Sequence, residues 1–292
     1  MEETATPPSL AKQIFYYPIT RILIGLVVII GTMVLFQFST SWLLKLMHVA
    51  DDARKTILSI EAPIIVLLAY SLLYKYYEKR SIDELKASAL PGWLLAGAII
   101  GIGLQSLVIL VMYLMGGYSI VSINPVSFIL PGLLIAFTSG IIEEVLLRGV
   151  VFRIINEKWG SIIALAVSAL LFGLLHLMNK NSSLYSAIAI AIEAGILLGA
   201  CYIYSGNLWL PIGVHFGWNF AEADLFGGVL SGNVIDKTLI TAKFTGSEYL
   251  TGGAFGPENS LPSILICTAA GVLLLWLAYK KKRLPDLQAT SS

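Results

Sequence analysis

The sequence predicts an all-α fold, a polytopic membrane bundle of about eight transmembrane helices, on three observations. Of its 292 residues 57% are hydrophobic and 13% charged, which is more apolar surface than a soluble core of this length can hide. The apolar residues come in stretches close to the roughly 20 residues that a bilayer-spanning helix needs. Pro and Gly breakers separate those stretches.

The spans are expected near residues 19–44, 57–77, 92–116, 126–150, 161–178, 184–205, 208–230 and 261–279. Ahead of the first, Met1 to Tyr17 is polar and contains Pro7-Pro8. The apolar run Ile22 to Phe38 has no A-x-A-like exit, so it reads as a retained helix rather than a cleavable signal. Glu61, beside Pro63, reads as the interfacial start of the second span. Pro91-Gly92 precede the third, Pro125 and Pro131 begin the fourth, and Trp159-Gly160 mark the turn into the fifth. The stretch Arg153 to Trp159 reads as an interfacial helix end with a Trp anchor. Gly206 and Pro211 flank the start of the seventh span and Pro262 opens the eighth, with Val234 to Glu258 as the largest connection. The organisation is thus a polar N-terminal tail (1–18), a single transmembrane domain (19–283) and a polar C-terminal tail (284–292). The final Thr290-Ser291-Ser292 is not a prenylation signal.

The net charge of +1, without a basic run interleaved with aromatics, argues against a nucleic-acid partner. Cys201 and Cys267 each fall in an apolar run, so neither a disulfide framework nor a cysteine metal site is expected. Lys and Arg placement sets the orientation. If the termini share one side, that side carries Lys12, Arg21, Lys75, Lys79, Arg80, Lys86, Arg153, Lys158, Lys280, Lys281, Lys282 and Arg283. The opposite side carries half as many: Lys45, Arg54, Lys55, Lys180, Lys237 and Lys243. The expectation is an integral protein of the cell (inner) membrane with both termini cytoplasmic.

Three constellations place polar groups inside these apolar spans, where they are costly without a purpose. In Glu143-Glu144-Val145-Leu146-Leu147-Arg148 the adjacent acids project about 100° apart, so they serve different ends. Glu144 and Arg148 share a face at i,i+4 and form an expected ion pair, leaving Glu143 to face neighbouring helices. The second constellation is Phe172-Gly173-Leu174-Leu175-His176, and the third is His215-Phe216-Gly217-Trp218-Asn219, with its i,i+4 pair of His and Asn. Glu143 lies 16 residues before Trp159 and His176 lies 16 after Gly160, so an antiparallel hairpin brings both to one height. His215 and Asn219, counted from Asn207, arrive one or two turns shallower. A carboxylate and two imidazoles in a low-dielectric, partly wet cavity suit water activation, with Asn219 and His215 as oxyanion donors. Glu143, His176 and His215 also make up a donor set of the kind that holds catalytic zinc, although H-E-x-x-H is absent. Glu193 reads as support or as a cross-helix pair, and nothing singles out Glu222 or Asp224.

In order and spacing, Glu143-Glu144-x-x-x-Arg148, Phe172-x-x-x-His176 and His215-x-x-x-Asn219 resemble the motifs of the CAAX protease and bacteriocin-processing family, which includes the type II CAAX prenyl endopeptidases. The family-like core covers residues 126–222. The resemblance implies an intramembrane endopeptidase acting on a membrane-associated or lipidated peptide or protein. It implies that Glu143 with His176 activates water, that His215 and Asn219 stabilise the oxyanion, and that Glu144 and Arg148 support them. No cofactor is expected for that glutamate-type chemistry, and zinc-dependent hydrolysis is the alternative. A transporter or a bacteriocin-immunity factor are the non-enzymatic readings; polar groups confined to three helices, without repeated halves, argue against the transporter. Gly97-x-x-x-Gly101, Gly195-x-x-x-Gly199 and Gly213-x-x-x-Gly217 are small-residue steps suited to close helix packing.

Overall fold

Apolar runs of this length satisfy their backbone groups in lipid by becoming helices, and the expected runs do so. The structure, a computed structural model, describes residues 9–284. A short helix, Leu10–Phe15, falls inside the expected N-terminal tail, whereas residues 1–8 and 285–292, with the readings of Pro7-Pro8 and Thr290-Ser291-Ser292, lie outside the described residues. The long helices are α1 (Pro18–Leu46), α2 (Asp51–Tyr77), α3 (Leu90–Leu114), α4 (Val126–Trp159), α5 (Ser161–Leu175), α6 (Leu184–Ser205), α7 (209–225) and α8 (Leu261–Lys280). Strands β1 (Tyr118–Ile123) and β2 (Ile240–Phe244) pair antiparallel on the face away from the termini. The molecule is a polytopic helical bundle.

Two expectations change. The second helix starts at Asp51 rather than near 57, with Asp51 and Asp52 favourably placed at the positive end of its dipole. Glu61 therefore lies well inside α2, where it accepts hydrogen bonds from Thr40 Oγ1 (2.6 Å) and Gln37 Nε2 (3.3 Å) of α1. Among the described residues, seven helices are long and apolar enough to cross a membrane, not eight. The seventh expected span is the exception: α7 is shorter, and every residue of Trp209–Asn219 except Phe216 is buried. It is enclosed by protein, chiefly α3, α4 and α6, so it need not match the bilayer as a lipid-facing helix must.

Glycines set that enclosure. A Cβ on Gly97 would stand 2.5 Å from Leu210 O, and one on Gly101, Gly213 or Gly217 would collide with Val214 O, Leu94 O or Ala98 O respectively. Small residues on both partners let the α3 and α7 backbones touch, the most extensive helix contact in the bundle. Gly195 and Gly199 of α6 likewise seat Ala169 and Leu165 of α5. The small-residue steps are used within the chain.

The helix ends on the termini face are tied by ions. Arg21 at the start of α1 pairs with Glu78 (2.8 Å) after α2 and with Glu157 (2.7 Å) near the end of α4. Arg153, expected at an interface, is buried and pairs with the same two carboxylates at 2.9 and 2.6 Å. Arg80 pairs with Glu84 (2.6 Å), whose carboxylate also accepts from Tyr70.

Candidate active site

The site begins where α4 changes pitch. After Ile129–Glu144 the helix widens into a π stretch, Val145–Phe152, before returning to α geometry at Arg153–Trp159. Wide turns of this kind re-aim side chains and concentrate at functional positions. Glu144 and Arg148 sit at this change and are fully buried. Glu144 Oε1 accepts from Arg148 Nη1 at 2.8 Å and from His215 Nδ1 at 3.0 Å. Arg148 also donates Nη2 to Gly195 O (3.0 Å) on α6, and its guanidinium lies 4.8 Å from the Phe172 ring centre. One carboxylate thus joins the E-E-x-x-x-R motif to the H-x-x-x-N motif, and one arginine joins both to the F-x-x-x-H motif.

Glu143, on the adjacent face, is 37% exposed at its side chain, and its Oε2 lies 3.9 Å from His215 Nε2. That separation is too long for a hydrogen bond and short enough for one water to touch both groups. The two nitrogens of His215 are therefore divided: Nδ1 donates to Glu144 and Nε2 faces Glu143. His176 caps the C-terminal end of α5, and its Nδ1 donates to Phe172 O at 2.8 Å. A carbonyl can only accept, so in a neutral ring Nε2 of His176 carries the free lone pair. Asn219, one turn beyond His215 on α7, donates Nδ2 to Ser139 Oγ (3.2 Å) of α4. Gly140 makes that closeness available, since its α carbon faces the α7 backbone at Phe216 N.

Two spaces meet at these groups. A recess of about 530 Å³, mouth included, is lined by Glu143, Leu146, Leu147, Phe172, Leu175, His176 and Asn179. Glu143 and His176, placed at one height by residue counting, share its wall. An inner cavity of about 400 Å³, open space at its mouth included, takes in Phe172, His176, His215 and Asn219. The ring of His176 borders both. The six residues that the sequence pointed to are thus brought to one place.

Sequence reasoning missed part of the inner wall. Ser231 and Glu258, from the connection between α7 and α8, line the cavity together with Glu193 of α6. Burial pushes the Glu258 carboxyl up. Glu193 Oε2 accepts from Ser263 Oγ (3.0 Å) on α8, the cross-helix pairing that is one of its two readings, and Glu222 Oε1 accepts the backbone N–H of Glu258 (3.2 Å). In sequence Ser231 and Glu258 resemble any polar loop residues, and no spacing marks them. Among the described residues, no group of three His, Cys, Asp or Glu side chains is arranged to hold a metal ion.

Fold and site together define an integral membrane protein with a carboxylate–imidazole–amide centre buried among its helices. Residues 125–221 match the family model described as type II CAAX prenyl endopeptidase Rce1-like. The match covers the segment that holds the three motifs and supports its likeness to the CAAX protease and bacteriocin-processing family, and its limits lie one residue from those read in the sequence. The family indicates a membrane-embedded protease. Neither a curated protein nor a solved structure matches the chain.

Proposed function

We propose that the protein is an intramembrane endopeptidase that hydrolyses a peptide bond of a membrane-associated substrate with water activated by Glu143 and His176. The observation that carries this reading is His215, held by Glu144 at Nδ1 and turned with Nε2 toward the half-exposed Glu143. A water touching Glu143 loses its proton to the carboxylate as its oxygen attacks the scissile carbonyl carbon. The carbonyl π pair moves onto oxygen, and that charge meets the N–H groups of His215 Nε2 and Asn219 Nδ2, with His215 protonated in this role. When the C–N bond breaks, the leaving nitrogen takes back a proton from Glu143 or through His176 Nε2, which restores the site. Glu144 and Arg148 touch no reacting atom; they hold His215 in orientation. In this version no metal takes part; zinc held by Glu143, His176 and His215 is the alternative.

The test is cleavage by the purified protein, reconstituted with a quenched peptide library that includes prenylated CAAX peptides, compared with Glu143→Ala. Cleavage by the wild type and its loss in the variant is the expected result. Equal cleavage by both, or none by either, removes the support. A chelator arm separates the mechanisms: complete loss restored by zinc would overturn the metal-free version.

A further inference from the structure

Glu258 is the carboxylate of the inner cavity that the proposed hydrolysis leaves without a task. It stands in the turn Pro257–Asn259 that leads into α8, and it is 3% exposed. The turn is firmly held. Glu222 Oε1 accepts the N–H of Glu258 (3.2 Å), and Asn259 Nδ2 donates to Gly252 O (3.3 Å). Gly256, with a φ of 129°, brings the chain against Val229 O, where a Cβ would collide. Ser231 favours the Glu258 anion through its side chain and its backbone N–H.

Among the described residues, nothing donates to Glu258 Oε1, although that atom is buried. No Lys or Arg of the described residues pairs with Glu258, nor with Glu193 and Glu222, on which its charge acts. A buried anion needs donors or a counter-charge, so this oxygen is matched to a cation that arrives through the cavity. Burial pushes the carboxyl up to about 7, and a positive charge beside it favours the ionised form near neutrality.

The same cavity wall holds His176, His215 and Asn219, and the Glu258 charge interacts with those of His215 and Glu143. Hydrolysis of a peptide bond there forms an amine and a carboxylic acid. The acid releases a proton and the amine takes it up, which leaves a carboxylate and an α-ammonium near neutral pH. Glu193 and Glu258 repel the first and attract the second. Leu197, Leu198, Val214 and Trp218 line the cavity beside them, and the low dielectric strengthens both effects.

We propose that the inner cavity is a product subsite in which Glu258 Oε1 receives the newly formed α-ammonium. The fragment C-terminal to the scissile bond then lies in the inner cavity, and the fragment with the new carboxylate lies toward the recess. The protease reading supplies the origin of the ammonium; the ammonium site itself stands on the unpartnered carboxylate and the cavity.

The test is calorimetry on the purified full chain in detergent with two probes: trileucine, and its des-amino analogue in which hydrogen replaces the amino group. The wild type is expected to bind trileucine about 10-fold more tightly than the analogue. Glu258→Gln keeps the size and removes the charge, so the preference should fall below about 3-fold. If that variant does not fold, Glu258→Asp withdraws the carboxylate by one methylene and should cut the preference about 3-fold. Equal binding of the two probes by the wild type, binding of neither, or an unchanged preference in the folded variant would overturn the proposal. Selective binding of trileucine without cleavage of any library peptide would instead strike the protease reading and leave the ammonium site in place.

Discussion

Glu144 shows how one buried carboxylate can serve both stability and chemistry. Ionised, it neutralises Arg148 at 2.8 Å and fixes the ring of His215 at 3.0 Å. Burying two charges is costly, and removing one partner leaves the other exposed to that cost. Arg148→Met is therefore expected to lower stability by about 3 kcal/mol, read as a lower melting temperature in detergent. The double variant Glu144→Leu/Arg148→Met is expected to recover much of that loss without recovering cleavage, because no carboxylate remains to orient His215. Glu144→Gln keeps the size but leaves the buried Arg148 charge without its counter-ion, so it should lose stability much as Arg148→Met does, and the protein that remains folded should cleave about 10–100-fold more slowly. Undiminished cleavage by folded Glu144→Gln would contradict this division of roles.

At the scale of elements, the α3–α7 crossing decides where His215 and Asn219 stand. Gly101→Ala drives a methyl group into Val214 O, which is backbone and cannot turn aside. Helix separation is the expected response, with a cost of about 1–3 kcal/mol and a displaced Asn219. Gly103→Ala is the matched control: it lies on the same helix, its Cβ would meet nothing within 4 Å, and alanine is the better helix former. A melting temperature reduced only by Gly101→Ala would show close backbone approach, rather than helix propensity, to be the controlling factor. The π stretch of α4 belongs to the same scale, since it sets the direction of Arg148 toward the carbonyls of α6.

At the scale of the whole molecule, ion pairs close the face that holds the termini. Arg21, Arg80 and Arg153 with Glu78, Glu84 and Glu157 tie the helix ends there. Burial alone would raise the Glu84 carboxyl, but hydrogen bonds from Arg80 and Tyr70 outweigh it and hold the group below its ordinary value. A depressed carboxylate contributes its stability in full above the unfolded value, near 4.3, and loses it as acid carries the pH down through the folded value. Thermal stability in detergent should accordingly decline below about pH 4, and Glu84→Gln should be less stable at neutral pH with a flatter acid limb. An unchanged acid limb in that variant would assign the acid sensitivity to other carboxylates.

The sequence by itself determined the helical membrane class, most spans to within a few residues, the Glu144–Arg148 pair and the nearness of Glu143 to His176. Each follows from local rules: bilayer thickness, 3.6 residues per turn and 1.5 Å of rise. Only the tertiary structure decided that α7 is enclosed, that Glu144 meets His215, and that Ser231 and Glu258 return from the connection after α7 to the cavity. Those depend on which backbones glycine lets approach and on how far α5 leans from α4. Both are distances between segments far apart in the chain, for which periodicity along one helix carries no information.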